Sequence, residues 1–400
     1  MNTQVELLNE IPIHIFNHRN IGKPSIAKYF DNIPKLKIKK EIKIATVFSG
    51  IGAVEQSFLR MNLKHKIIFA CDNNEFVKKS YFANYGISEN NWYNNILELN
   101  ANKYRNMIDI LVGGSPCQAF SSVGKRKGLA DDRGNLVYEF IRIVKETQPS
   151  VFIFENVKGL VTHDNGNTWK NILKPLFDGL GYKIHTQILN SKNYGIPQHR
   201  DRLFAVGFKK NINFNFPASI PLEIKVKDLL EDNADEKYYL GRKGFEFVFN
   251  INKKRGSSTQ VNGDIALCQR ANQQFNWHGD FILDYGAVKD KYFLSEAVKK
   301  YVLSVGTKGY KTKIDTNLDI ARPLLSTMGS MHRAGVDNYF MYGARIRKLT
   351  PKECLRLMGF SDNFKIIVSD TQAYKQAGNS MVVDVLIHLF NSIIKSMQWK

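Results

Sequence analysis

Residues 44–61 read IATVFSGIGAVEQSFLRM: a short apolar run, a turn carrying two glycines, then apolar residues at helical spacing. Such a run, ending in Gly-x-Gly and passing directly into a helix, opens a strand–turn–helix unit. The rhythm recurs as KIIFAC (66–71) before EFVKKSYFANY (75–85), MIDILVGG (107–114) before LVYEFIRIVKE (136–146), and SVFIFEN (150–156) before WKNILKPLFDGL (169–180). In the third helix Leu136, Val137, Phe140, Ile141 and Val144 fall on one stripe that must be buried. Strands alternating with helices predict an α/β, Rossmann-like fold: a mostly parallel, doubly wound sheet that binds its ligand at the carboxyl ends of the strands. YKIHTQIL (182–189) and RLFAVGF (202–208) are two further strands that close the sheet.

The chain has 400 residues, 43% of them hydrophobic, enough for more than one core. Lys and Arg number 57 against 37 Asp and Glu, a net charge of +20, which points to a polyanionic partner. The start, MNTQVELLNEIPIHIF, lacks the basic and apolar segments of a secretion signal, and no apolar run reaches bilayer length, so a cytoplasmic, nucleoid-associated protein without a membrane is expected. Cys71, Cys117, Cys268 and Cys354 are scattered, without C-x-x-C pairs or neighbouring histidines, against both a zinc site and a disulfide framework. Residues 1–40 are an N-terminal extension ending in the basic run KLKIKKEIK (35–43), either a surface segment or a nucleic-acid arm. The domain built on this alternation spans 41–217 plus 379–400. After Phe216-Pro217 the alternation stops, and 218–350, rich in lysines and aromatics, reads as a smaller, irregular, β-rich domain suited to nucleic acid or a solvated basic face. Residues 351–378 make a hinge segment. A last helix near Ser380 carries Val382, Leu386, Leu389 and Ile393 on one stripe, with Asn379 or Ser380 as its cap, and should pack on the first domain.

Gly50 and Gly52 allow backbone amides to approach a ligand, and Asp72, about 20 residues beyond Gly52, is at the distance where a carboxylate reaches an adenosine ribose. Asp72 could equally cap a helix starting at DNNEF. Cys117, in GGSPCQ beyond an apolar strand, sits among glycine, serine, proline and glutamine with a KRK cluster following, the setting of a nucleophile; Cys71 and Cys354 read as buried hydrophobes. Glu155 emerges from VFIF at the same sheet edge, where desolvation should raise its pKa and suit it to proton transfer, unless it is part of a capping Glu-Asn pair. In QHRDR, period-two geometry puts Gln198, Arg200 and Arg202 on one face, and paired guanidiniums require an anion or carboxylate between them.

These motifs, in this order, resemble the C5-cytosine DNA methyltransferases, in particular the single-domain bacterial modification enzymes. VFSGIGA resembles the family's cofactor glycine motif, GGSPCQAFS its proline-cysteine motif, FENVKG its Glu-Asn-Val motif, QHRDRLF its Gln-x-Arg-x-Arg motif, RKLTPKECLRLMGF the segment before its last motif, and QAGNSMV that last motif. The resemblance covers 41–217 and 346–400. It implies methyl transfer from S-adenosylmethionine to C5 of a cytosine flipped out of duplex DNA, with Cys117 as nucleophile, Glu155 at N3, and Arg200 and Arg202 holding base and carboxylate. It implies cofactor contacts at Phe48, Gly50, Ile51, Gly52, Asp72, Asn73, Asn95, Ile96, Pro116, Leu136, Phe360, Asn379 and Val382, and a closing loop over 121–128. DNA contacts fall to Gln118, Ser121, Lys125, Arg126, Gln198, Arg270 and Gln273, the last two as base readers in ALCQRANQQFNWHGDF (266–281). Asn73 and Asn95 depart from the aromatic and the aspartate often found there, and Leu324-Leu325 stands where many members have Thr-Leu. Double-stranded DNA is the expected partner, the protein a monomer, and a restriction endonuclease acting on the same site a possible companion. The alternatives are a transfer-RNA cytosine methyltransferase of the same fold and a catalytically silent DNA-binding module.

Overall fold

The computed structural model describes residues 33–115, 136–231, 234–240, 259–271, 278–284 and 345–399, with isolated positions between 244 and 311. Pro116, Cys117, Gln118, Ser121, Lys125, Arg126, Gln273, the Leu324-Leu325 pair and residues 1–32 lie outside the described residues.

Seven strands form one sheet: β1 (Ile42–Val47), β2 (His65–Cys71), β3 (Trp92–Tyr93), β4 (Ile110–Gly113), β5 (Val151–Val157), β6 (Lys183–Asn190) and β7 (Asp201–Phe208). Their spatial order is β3-β2-β1-β4-β5-β7-β6. β1 to β5 pair in parallel, whereas β7 runs antiparallel to both β5 and β6. The order reverses between β1 and β4, so the crevice of this doubly wound sheet opens at the carboxyl ends of those two strands.

Residue parity decides which face each side chain takes. Ile42, Ile44, Ile110, Val112, Val151, Ile153, Phe204, Val206 and Phe208 point to one face, into a core shared with Phe58, Tyr81 and Phe390. Ala45, Val47, Leu111, Phe152, Phe154, Leu203 and Ala205 point to the other, against Phe140, Val144 and Phe177. Both faces are apolar because both are covered, which is why the strands read as near-continuous hydrophobic runs.

The first face is covered by α1 (Ala53–Arg60) and α2 (Glu75–Asn84), the second by α3 (Leu136–Thr147). Val137, Phe140 and Val144 of the expected α3 stripe are fully buried, with Leu136 and Ile141 at its rim. α2 is capped by Asn74, whose side chain accepts from the amides of Phe76 and Val77, and not by Asp72 or Asn73; Asp72 is occupied elsewhere. Beyond the sheet come α4 (Pro351–Arg356), α5 (Asp370–Asn379) and α6 (Val383–Met397). Thr350 and Glu353 form a capping box around α4, with Pro351 at its first position. α6 packs on α1 as expected: Phe58 and Phe390 rings lie 4.8 Å apart and Arg60 pairs with Asp384 at 2.6 Å. Neither Asn379 nor Ser380 caps it. Asn379 ends α5, and α6 begins at the extended Val382, which offers no side-chain cap.

The stretch Asp370–Met397 is long and apolar enough to cross a bilayer by composition, but 67% of its most apolar window is buried inside the protein. Its backbone also breaks between α5 and α6. A second sheet is built from β8 (Thr259–Val261), β9 (Gly279–Asp284) and, after the two-residue pair β10 (Gly306–Thr307) and β11 (Tyr310–Lys311), β12 (Arg345–Lys348), in the order β12-β9-β8.

Candidate active site

Parity places a carboxylate and two guanidiniums together at the carboxyl edge of the sheet. Glu155 continues the Val151, Ile153 row of β5, and Arg202 continues the Phe204, Val206 row of β7. In the antiparallel register Glu155 faces Phe204 and Arg202 faces Val157, which makes the two charged residues diagonal neighbours on one face. Arg202 Nε lies 3.1 Å from Glu155 Oε1, with both side chains largely buried. Burial pushes the Glu155 carboxyl above its ordinary pKa, while the charges of Arg202 and then Arg200 pull it back, leaving it raised. A carboxyl so poised can change protonation at little cost.

The strand beside it carries the path to Cys117. β4 ends at Gly113, and at Gly114 an added Cβ would come within 2.8 Å of Glu155 Oε2 and 3.1 Å of the Met381 methyl. Glycine is required there because the carboxyl fills the space a side chain would take. Ser115 is then held by Asn156, whose Nδ2 donates to Ser115 Oγ at 3.1 Å and to its carbonyl at 3.3 Å, while its Oδ1 accepts from the Val157 amide. The Glu-Asn pair therefore divides its labour by parity: Glu155 serves the site face, and Asn156 anchors the segment leading into Pro116-Cys117.

Arg200 sits just before β7 and bonds outward. Its Nη2 donates to the carbonyls of Ser380 at 2.8 Å and Gly378 at 3.1 Å, and its Nη1 to Gln269 at 3.1 Å. It thus ties the corner between α5 and α6, and the segment before β9, to the start of β7, as well as lending charge to Glu155. Gln198 is a correction. Expected to touch DNA, it is wholly buried, with Nε2 donating to the Leu357 carbonyl and Oε1 accepting from the Gln269 amide. Both ends of its amide serve an internal junction, so none faces a ligand. Arg270 is exposed next to that junction.

Cys71 and Cys354 are buried, as their apolar neighbours suggested, and burial pushes Cys71 up to about 12. Cys268 differs. Burial pushes its thiol up, but Arg200 and Arg202 outweigh that and leave it lowered, with Arg200 Nη1 3.5 Å from its sulfur.

The glycine turn lies at the other side of the crevice. Phe48, Gly50 and Gly52 all have left-handed φ, of 54°, 55° and 81°. Strain of that kind in a phenylalanine marks a segment held by its surroundings. Ser49 does the holding: its hydroxyl accepts from the Cys71 amide and the Thr46 hydroxyl, and lies within hydrogen-bond reach of the Cys71 and Thr46 carbonyls. Asp72 Oδ2 accepts from the Gly50 amide at 3.0 Å and Oδ1 from the Asn74 amide at 3.0 Å, and burial raises its pKa against those two bonds. Gly50 faces open space, with nothing within 4 Å of an added Cβ, whereas a Cβ on Gly52 would strike the Tyr85 ring at 2.1 Å. Only Gly50 is free for a ligand's approach; Gly52 is glycine for packing. An open glycine, strained backbone and a carboxylate with spare lone pairs fit an adenosine-bearing cofactor.

The remaining cofactor expectations divide. Asn73 is exposed beside Asp72, and Asn95 caps the turn Ile96–Glu98, accepting from Leu97 and donating to Glu98 while keeping a lone pair. Ile96 is buried beneath that turn, Leu136 is half-buried at the start of α3, and Asn379 is exposed. Ile51 and Phe360 are each 1% exposed, their side chains packed largely in the core, and Phe360 also lines a surface cavity with Leu355, Arg356 and Phe364. Val382 is likewise buried in the core, and its neighbour Met381 is the one that reaches the Glu155 side of the site.

Residues 42–395 match the C-5 cytosine-specific DNA methylase family. The type II methyltransferase M.HpaII of Haemophilus parainfluenzae is 33% identical over 377 residues, covering 92% of this chain and 94% of its own length. The orphan methyltransferase M.SPRI of Bacillus phage SPR is 30% identical over 441 residues, covering 88% and 98%. Among solved structures, the Entamoeba histolytica methyltransferase EhMeth shares the fold with a TM-score of 0.60 at 17% identity, over 90% of this chain and 99% of that one. S. pombe Dnmt2 does so with a TM-score of 0.59 at 16% identity, over 90% and 99%.

Proposed function

The chain belongs to the C-5 cytosine-specific DNA methylase family, and from that premise we propose that it methylates cytosine in duplex DNA through a covalent Cys117 adduct, with S-adenosylmethionine as methyl donor. That it is a DNA cytosine-C5 methyltransferase follows from family and relatives; the residue roles are the proposal. The observation that carries them is the buried Glu155, bound by Arg202 and filling the space above Gly114, in the segment that leads into Cys117.

Cytosine C5 is a poor nucleophile until the ring is made electron-rich. The Cys117 thiolate adds to C6, forming a C–S bond, while Glu155 delivers a proton to N3, so the ring becomes an enamine with its electron density at C5. Arg202 keeps the Glu155 carboxyl aimed and stabilises it once ionised. S-adenosylmethionine, held by the Phe48–Gly52 turn and Asp72, supplies an electrophilic methyl. Once C5 carries the methyl, loss of its proton to solvent re-forms the C5–C6 double bond, the C–S bond breaks so that Cys117 leaves as thiolate, and the N3 proton returns to Glu155. A stacked base hides C6 and N3, so the target must leave the duplex before this chemistry starts.

In this reading Arg270 and the β8-β9-β12 sheet would face the DNA, with 218–350 as the recognition segment; the bonds of Gln198 and Arg200 to Gln269, which tie the segment before β9 to the start of β7, support it. The reading puts the protein with its DNA in the bacterial cytoplasm, as the modification partner of a restriction endonuclease. The match to a DNA methylase family favours DNA over transfer RNA as substrate. Duplex DNA bearing 5-fluorocytosine at the target lacks the C5 proton that elimination needs. It should therefore trap a covalent complex in the presence of S-adenosylmethionine, and Cys117→Ala should bind DNA without trapping. Tight binding with no adduct by the wild-type chain would overturn the mechanism, and bisulfite sequencing of plasmid from expressing cells would give the site.

A further inference from the structure

Arg142 belongs to none of the motifs, yet its guanidinium is fully engaged. Nε donates to Glu139 Oε2 at 2.9 Å, and Nη2 lies 2.8 Å from the same oxygen. Nη1 donates to Glu146 Oε1 at 2.9 Å and to the Leu99 carbonyl at 3.0 Å, and Nη2 also donates to the Ile96 carbonyl at 2.8 Å. These contacts use all the N–H groups of the fork. Glu146 in turn accepts from the Ala101 amide through its second oxygen at 3.0 Å. The helix α3 therefore holds the Ile96–Leu99 turn by its carbonyls and the next turn by an amide.

The Ile96 carbonyl already accepts from the Leu99 amide within the turn, and a planar cation that reaches it and the Leu99 carbonyl at once fixes their separation and orientation. Glu139 and Glu146 lie one turn either side of Arg142 on α3 and set the guanidinium plane before it meets the loop. Ile96 and Asn95 are at one end of this clamp, and Leu136, at the start of α3, is at the other. All three are among the residues assigned above to cofactor contacts. We propose that Arg142 is a positioning residue for the cofactor: it locks the Ile96–Leu99 turn to α3 and so fixes Asn95 and Ile96 relative to Leu136. The proposal rests on the S-adenosylmethionine reading above.

Arg142→Lys keeps the charge between the two glutamates but replaces a rigid fork with a point cation that cannot hold both carbonyls and both carboxylates. Arg142→Lys should raise KM for S-adenosylmethionine about tenfold with kcat within about twofold and KM for DNA unchanged, the pattern of lost uniform binding. Inhibition by S-adenosylhomocysteine should weaken by the same factor, since it would use the same contacts. A purely architectural residue would instead lower kcat and melting temperature together. An unmoved cofactor KM, or a fall in kcat at constant KM, overturns the proposal. Should the lysine variant not fold, Glu146→Gln, which loosens the fork while leaving both carbonyl bonds, should give the same pattern at about threefold, and an unmoved KM there overturns it equally. Failure of the wild-type chain to bind S-adenosylmethionine would sink the cofactor reading itself, a separate result from wild-type binding with an indifferent Arg142.

Discussion

Glu155 at the carboxyl edge of the sheet and Glu55 beneath the glycine turn are both buried carboxyls, and burial pushes both upward in pKa. Their company differs. Glu155 has Arg202 at 3.1 Å and the charge of Arg200 behind it. Glu55 has hydroxyls: Tyr81 donates to its Oε1 at 2.6 Å and Thr46 at 3.4 Å, while Oε2 has no hydrogen-bond partner among the described residues. Cations compensate the ionised form, so Glu155 can hold or release a proton as the reaction asks. Hydroxyls compensate it less, and Glu55 is pushed up to about 7, with burial as the main cause. The carboxyl proposed for the chemistry and the one packed beneath the turn thus differ in what donates to them.

The sharpest way to break this contrast is Glu155→Gln. The amide can still accept from Arg202 but has no proton to give, so kcat should fall about a hundredfold to ten-thousandfold with DNA binding retained; a kcat within a few-fold of wild type would remove Glu155 from the chemistry. Glu55→Gln should leave turnover alone and act on stability. The folded chain keeps the Glu55 proton up to about 7 while the unfolded chain loses it near 4.5. Folded protein therefore holds more protons between those values, and stability is full below about 4.5, declines as pH rises through about 7, and is flat above. The loss is at most about 3 kcal/mol. Denaturation of wild type at pH 5 and pH 8.5 should show that decline and Glu55→Gln should not; parallel pH profiles would contradict the protonated state.

Gly114→Ala tests the same site from the neighbouring strand. Its Cβ would meet Glu155 Oε2 at 2.8 Å and push the carboxyl off Arg202, so kcat should drop about tenfold and its pH dependence should shift, measured as kcat against pH. The smallest expected effect concerns the reach of the two arginines. Their charge leaves the Cys268 thiol lowered, whereas at Cys71 burial and the Asp72 carboxylate outweigh the pull of Arg142 and leave it raised. Limited alkylation followed by peptide mapping should label Cys268 about an order of magnitude faster than Cys71 or Cys354, and equal labelling would show that the field stops at Glu155.

Much of this was readable in advance because two periodicities carry it. The alternation in VFIFENV put Glu155 at the strand's end and, with QHRDRLF, aligned Arg202 to meet it; burial on both faces made the strands and α3 plain. What could not be read depends on backbone groups distant in sequence. Gln198 shares parity with Arg200, but it is the Gln269 amide and the Leu357 carbonyl that claim it. Arg142 looks like an ordinary surface arginine until the Ile96 and Leu99 carbonyls arrive at its tip. The cap of α2 moved from Asp72 to Asn74 because Asp72 is drawn to Gly50, a contact across strands. That Met381 comes close to Gly114 likewise depends on the corner between α5 and α6, which nothing local in the sequence specifies.

The antiparallel course of β7 has a practical reach. Glu155 closes a strand and depends on the chain before it; Arg202 begins one and depends on the chain after it. Between them lies the turn at Gly179–Gly181, with Gly179 and Gly181 exposed. A chain divided there yields two pieces, one bearing the acid and the other the guanidinium, neither able to turn over alone. Fused to a pair of associating proteins, such halves would write a heritable mark on DNA only where the two partners had met.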